Sequence, residues 1–124
     1  MEIENILISD VVDLSSLKAF FATDKDSLMQ LIEVYLSDTE PRIDTLEESI
    51  KEIDYASIKS ISHFLKSSFG LMGIGCLDEI AELEKQADRK EEKANIIKNL
   101  NIVIPICRDS ITEYTIILNK LKTL

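Results

Sequence analysis

This chain of 124 residues has little of what interrupts regular structure, with three glycines, two prolines and no tryptophan. So few chain breakers leave little room for the many turns of a β-sandwich, and their scarcity favours long helices. The length fits one domain and is too short for two full cores. Because 45% of the residues are apolar, the composition is typical of a folded chain rather than a disordered one.

Positive charge and cysteine are also scarce. The chain has 14 basic residues, only three of them arginine, against 23 acidic residues, which gives a net charge of -9. Such a surface repels a phosphate backbone, so we expect no nucleic-acid partner. The two cysteines, Cys76 and Cys107, lack the close pairing of a zinc or redox motif. We expect both to be small buried hydrophobic residues in a reducing compartment.

No long hydrophobic run occurs in the sequence. Uninterrupted apolar segments are a few residues long, whereas a helix that crosses a membrane needs about 20. The first ten residues, MEIENILISD, are acidic and lack the basic segment of a secretory signal. We therefore expect no membrane insertion and a cytoplasmic location.

The apolar residues recur mostly at helical spacing. We interpret residues 1–13 as a tail or an ordered lead-in, and residues 14–124 as the helical domain. A short first helix is expected over residues 13–22, with Asp13 or Ser15 as its cap.

A long apolar pattern with steps of three and four follows over residues 25–53. Pro41 interrupts it, and two interpretations compete. The helix either stops near Asp38 and restarts, or continues with a bend where the proline removes a hydrogen bond. The phase of the pattern survives across Pro41, so we favour one kinked helix.

A third helix is expected over residues 55–71, with Asp54 as its N-cap, and a fourth over residues 75–88. The chain's three glycines lie close together, around the junction of these two helices, at Gly70, Gly73 and Gly75. They predict the end of the third helix and a tight turn with a left-handed C-cap.

The final segment, over residues 93–121, has the most regular apolar seam, and Pro105 predicts a bend within it. The seam positions are Ile97, Leu100, Ile104, Cys107, Ile111, Tyr114, Leu118 and Leu121. Four substantial helices with short connections predict an all-α fold, an antiparallel up-and-down four-helix bundle with a short additional N-terminal helix.

His63 is the only histidine. At about 100° per residue, it lies roughly 200° from Ile61, the centre of the expected buried stripe, so its imidazole faces solvent. The residues that share its face are Lys59, Ser60, Lys66, Ser67 and Gly70. An incoming phosphoryl group would meet a nucleophilic imidazole, an ammonium one turn away and little side-chain bulk. The competing interpretation is an ordinary surface histidine.

The string HFLKSSFGLMG, from His63 to Gly73, resembles the signature of histidine-containing phosphotransfer (HPt) domains. The positions that fit are Leu65, Lys66, Ser67, Ser68, Gly73 and, in the next helix, Leu77. The chain departs from the family at Ser67, where glycine is most common, and at Glu84, which stands one residue early. Because of this offset we interpret Glu84 as a solvated carboxylate rather than a partner of His63.

The resemblance implies a phosphorelay intermediate. His63 would accept a phosphoryl group through Nε2 from a receiver-domain phosphoaspartate and pass it to another receiver, while Lys66 offsets the charge. Ser67, Ser68 and Gly70 would form a small polar face, and Gly73 the turn.

The resemblance also implies that the chain needs no cofactor, since Mg²⁺ would belong to the receiver, and we expect a monomer. Phe64 and exposed parts of the first helix are candidate docking contacts, although core or inter-helix packing explains Phe64 equally well.

Other function classes fit less well. An autokinase lacks a nucleotide-binding loop, and a hydrolase lacks a carboxylate at a spacing that would orient His63. One histidine also supplies too few ligands for a metal. The remaining alternative is a helical adaptor, in which the seam from Ile97 to Leu121 binds a partner helix or a second copy and His63 is incidental.

Overall fold

The computed structural model describes residues 2–124, so Met1, the first residue of the predicted lead-in, lies outside the described residues. Within that range the chain forms helices and no strand. The helices are α1 (Ile3–Ile6), α2 (Ser15–Phe21), α3 (Lys25–Glu48), α4 (Tyr55–Met72), α5 (Leu77–Asp88) and α6 (Lys93–Lys122). The predicted all-α fold is confirmed.

The four long helices, α3 to α6, form the bundle. Helix α4 packs on α5 and α3 packs on α6, and these two pairs close the bundle through contacts of α5 with α6 and of α3 with α4. The largest fully buried side chains include Tyr114, Phe69, Leu28, Leu46 and Leu65. The core therefore lies between all four helices, and the apolar stripe of each helix faces it.

Aspartate side chains cap the start of two of these helices, and the one at Asp54 was predicted. Asp24 accepts a hydrogen bond from the backbone N–H of Ser27 at 3.0 Å, and Asp54 accepts one from Ser57 at 3.1 Å. Both satisfy a backbone donor that has no partner within the helix. At α2 the predicted cap is wrong, because Leu14 occupies the N-cap position and makes no side-chain cap hydrogen bond. Asp13, one residue earlier, accepts a hydrogen bond from the Ser15 N–H at 2.9 Å.

Helix α3 continues through Pro41 as a single helix, which confirms the predicted continuity over two separate helices. It ends at Glu48 rather than at residue 53, and Ile53 lies in the turn before α4, half-buried. Helix α6 likewise continues through Pro105. Packing of both helices against the core outweighs the one hydrogen bond that each proline removes.

The turn between α4 and α5 is built around Gly73, which has a φ of 71° and forms the left-handed C-cap of α4. Its carbonyl accepts a hydrogen bond from the Asp13 N–H at 2.9 Å, so the turn also fixes the N-terminal segment. Gly70 lies inside α4 rather than at its end, and its predicted part in the turn is wrong.

Residues 2–13 pack against the bundle, with Ile3, Ile6, Leu7 and Val12 buried. Both cysteines are buried free thiols, as predicted, and burial raises the pKa of Cys107 to about 11. None of the helices among residues 2–124 combines the length and the apolar character that a membrane crossing requires.

Candidate functional site

His63 lies in the middle of α4, and its side chain is 72% exposed. The buried residues of this helix are Ile58, Ser62, Leu65, Phe69 and Met72. At 100° per residue, this stripe is centred roughly 60° from Ile61, the expected centre, and Ile61 itself is only half-buried. The shift does not bring His63 into the core, and the prediction that its imidazole faces solvent is confirmed.

Glu84, on the neighbouring helix α5, contacts this imidazole directly. Its Oε2 lies 2.8 Å from His63 Nδ1, and its Oε1 accepts a hydrogen bond from Lys66 Nζ at 2.8 Å. The Glu84 side chain is only 18% exposed. The interpretation of Glu84 as a solvated carboxylate is therefore wrong, as is the argument that no carboxylate orients the histidine.

The antiparallel packing of α4 and α5 produces this contact. Two cross-helix contacts lie about one turn apart, Lys59 with Asp88 and His63 with Glu84. Beyond the end of α5, the Tyr55 hydroxyl donates a hydrogen bond to the Glu91 carbonyl. The position on α4 rises as the position on α5 falls, so each turn of one helix faces a turn of the other. The register set by the Gly73 turn thus places Glu84 beside His63.

The hydrogen bond from His63 assigns the tautomer of its ring. Lys66 first, and then His63, donate hydrogen bonds that lower the pKa of Glu84 below its ordinary value, so at neutral pH the carboxylate is ionised and only accepts. Nδ1 of His63 must then carry the hydrogen, and in the neutral ring Nε2 keeps its lone pair. The exposed side chain therefore presents Nε2 as a nucleophile.

Lys66 is one turn beyond His63 on α4, and its side chain is 42% exposed. Its ammonium is paired with Glu84 at one end of the site, while Lys59, one turn before His63, pairs with Asp88 at 2.8 Å. Two cations of α4 and two carboxylates of α5 thus flank the imidazole.

The other residues expected at the site divide into two groups. Ser67 and Gly70 are exposed on the side of α4 that carries His63. Ser68 is half-buried and lies roughly 140° around the helix from His63. Gly73 is about 15 Å further along the helix axis at 1.5 Å per residue. It shapes the turn and does not reach the imidazole.

Phe64 is 38% exposed and also forms an inter-helix contact. The guanidinium carbon of Arg42, on α3, lies 3.7 Å from the centre of the Phe64 ring, in cation–π geometry. Arg42 also donates to the Asp38 carbonyl at 2.7 Å. Sequence reasoning missed Arg42, because no local pattern relates it to α4.

A surface cavity of about 520 Å³ lies beside His63, lined by Ala56, Lys59, Ser60, His63 and Glu84. It extends from the imidazole toward the N-terminal part of α4. A small charged group that approaches His63 can therefore enter next to the ring and between the two helices.

Comparison with known proteins gives one finding. A family model described as "Hpt domain" matches residues 30–109, which include all of α4 and α5. No curated protein and no solved structure matches the chain.

Proposed function

The chain belongs to the Hpt domain family and so takes part in a two-component phosphorelay, and on this premise we propose that His63 carries the phosphoryl group between receiver domains. The observation that supports this most strongly is the 2.8 Å contact between Nδ1 of His63 and Glu84. It leaves Nε2, on an exposed ring, as the nucleophilic nitrogen.

In the proposed step, the Nε2 lone pair of His63 forms a bond to the phosphorus of a receiver phosphoaspartate. The bond between that phosphorus and the aspartyl oxygen breaks, and its electron pair returns to the aspartate carboxylate. The hydrogen on Nδ1 stays in place, so the phosphorylated ring becomes a cation. Glu84, ionised and in contact with Nδ1, stabilises this cation. The reverse sequence passes the group to a second receiver.

Lys66 supplies positive charge to the phosphoryl oxygens in this proposal. Its ammonium lies 2.8 Å from the same carboxylate that contacts the imidazole, so it is close to the reacting nitrogen without blocking it. A long, half-exposed side chain can move from Glu84 to a phosphoryl oxygen at low energetic cost, since exposed ion pairs stabilise proteins by about 1 kcal/mol or less.

The partner docks on the surface around His63. Ser67 and Gly70 keep that surface free of bulk, and Gly73 maintains the hairpin that brings Glu84 to the site. Ser68, which was expected on the same face, lies outside it. Phe64 and Phe20, the latter 74% exposed on α2, are apolar contacts for the receiver. The docking role of these two side chains and the receiver domain as partner are both part of the proposal.

No observation favours the adaptor alternative. It needs the α6 seam as a binding surface, but Leu100, Cys107, Tyr114 and Leu121 of that seam are fully buried in the core of this chain. Because a single chain covers its own seam, we propose that the protein acts as a monomer.

A label-transfer experiment tests the proposal. Candidate receiver domains are labelled with ³²P on aspartate, mixed with the protein in the presence of Mg²⁺, and the label on the protein is tested for lability in acid and stability in base. We expect transfer to the wild type and none to His63→Gln, whose fold is checked by circular dichroism. Transfer to His63→Gln at the wild-type rate contradicts the proposal.

A further inference from the structure

A second lysine stands at the same site as Lys66. Lys66 is three residues after His63 and Lys59 is four residues before it, so both are neighbours of the histidine on one side of α4. Each is paired with a carboxylate of α5 at 2.8 Å, Lys66 with Glu84 and Lys59 with Asp88. The imidazole thus lies between two ion pairs of the same kind.

The cavity beside the imidazole favours Lys59 as a ligand of the incoming group. Helical side chains tilt toward the N-terminus of their helix, so the ring of His63 leans over the turn that carries Lys59 and Ser60. These three residues line the cavity together with Glu84. The hydrogen bond with Asp88 raises the pKa of Lys59, and the charges of Asp88 and then Glu84 add to this effect, so this ammonium stays charged.

Lys66 alone does not balance the charge of a phosphoryl group. The group brings about two negative charges, and the cationic ring offsets the charge of Glu84, so Lys66 leaves about one negative charge unbalanced. In contrast, the pair between Lys59 and Asp88 is exposed on both sides, with 52% and 61% of the two side chains accessible. Such a pair is weak, and Lys59 can leave Asp88 at little cost.

Resting on the proposed function of His63, we propose that Lys59 is a second cation for the phosphoryl group, and that Asp88 competes with this group for Lys59. Before transfer, Lys59 is bound to Asp88. When the phosphoryl group is on Nε2 of His63, Lys59 releases Asp88 and donates a hydrogen bond to a phosphoryl oxygen from the cavity side. Lys59 acts from the turn before His63, and Lys66 from the turn after it. Asp88 thereby limits how strongly the site holds the group.

A double-mutant cycle tests this role. The variants are Lys59→Ala, Asp88→Asn and the double variant, with Lys59→Arg as a conservative change. Lys98→Ala, an exposed lysine in a different groove on α6, is the matched control. The rate of label transfer from a receiver and the half-life of the phosphohistidine are measured for each, and thermal unfolding checks that each variant folds.

We expect Lys59→Ala to slow acceptance on the order of fivefold, as suits one exposed charge contact. Lys59→Arg and Lys98→Ala should stay near the wild type. Asp88→Asn should accept label roughly twofold to fivefold faster, because it frees Lys59. The double variant should match Lys59→Ala, since the effect of Asp88 acts through Lys59.

Two results overturn the inference while leaving the proposed function intact. One is transfer at the wild-type rate in Lys59→Ala when Lys66→Ala is slow. The other is that Asp88→Asn accelerates the acceptance of label by the same factor in the wild-type background and in the Lys59→Ala background. If the folded wild type accepts no label from any receiver, the proposed function fails and this inference fails with it.

Discussion

Nδ1 of His63 and Oε2 of Glu84 lie 2.8 Å apart, although 21 positions separate the two residues in the chain. Because a carboxylate only accepts hydrogen bonds, this contact fixes the hydrogen on Nδ1 and leaves Nε2 free. Glu84 acts as a positioning residue in this account, since it contacts the ring and not the phosphoryl group.

Removal of the Glu84 carboxylate should therefore slow phosphoryl transfer. A hydrogen bond to a charged group contributes about 1.5–3 kcal/mol, so Glu84→Ala should lower the acceptance rate by about tenfold or more. Nitrogen-15 NMR of the imidazole should show a mixture of tautomers in place of the Nδ1–H form. Glu82→Ala, an exposed glutamate of the same helix, is the control, and an unchanged rate and tautomer in Glu84→Ala would count against the positioning role.

Replacement of Lys66 should affect transfer much more than stability. The Lys66 side chain is 42% exposed, and an exposed ion pair contributes about 1 kcal/mol or less. We therefore expect Lys66→Ala to lower the melting temperature by no more than about 4 °C, while transfer slows severalfold. Circular dichroism and the label-transfer rate measure the two effects. A collapse in stability with no change in the rate per folded molecule would show that Lys66 is structural.

The titration of Glu84 reports its contacts directly. Its pKa is lowered from the ordinary value of 4.5, chiefly by the hydrogen bond from Lys66 and secondly by that from His63. Carbon-13 NMR of the carboxyl group should show a midpoint below 4.5 in the wild type, and a larger rise in Lys66→Ala than in His63→Gln. The reverse order would contradict the geometry of the site.

The same titration predicts a pH dependence of stability. The folded-state pKa of Glu84 lies below its unfolded value near 4.5, so the stabilisation is complete above that value and is lost as the pH falls through the folded-state pKa. The difference in free energy of unfolding between the wild type and Glu84→Gln should shrink as the pH is lowered from 5.5 to 3. If this difference in free energy of unfolding grew as the pH was lowered, it would contradict the lowered folded-state pKa of Glu84.

Two glycines of the hairpin should respond oppositely to alanine. A Cβ on Gly73 would lie 1.8 Å from the Asp13 carbonyl oxygen, and its φ is +71°, so Gly73→Ala should destabilise the protein by about 2 kcal/mol or more. A Cβ on Gly70 meets nothing within 4 Å. Gly70→Ala should stabilise α4 by about 0.5–1 kcal/mol. Urea denaturation of both variants measures the difference, and equal effects would contradict the turn geometry.

Local patterns of the sequence were sufficient for most of the fold. The spacing of apolar residues predicts the four long helices, and Asp54 predicts the start of α4, because these signals depend on neighbours within one helix. The end of α3 was misplaced, since Ile50 and Ile53 continue the apolar phase while packing against the core from the turn.

The site was predictable only in part, for a physical reason. The exposure of His63 follows from the phase of α4, but the contact with Glu84 depends on the register between two helices. That register follows from the geometry of the turn at Gly73 and from the packing of Leu83 in the core. The same holds for Arg42, which reaches Phe64 from α3 across an inter-helix contact.

The central claim is that Nε2 of His63 accepts the phosphoryl group, and one NMR experiment tests it most directly. Protein labelled with nitrogen-15 in histidine is mixed with a phosphorylated receiver, and the coupling between phosphorus-31 and the ring nitrogens is recorded. The account predicts phosphorus bound to Nε2, with the hydrogen still on Nδ1. Phosphorus on Nδ1, or label on the protein with no phosphorus on His63, would contradict it.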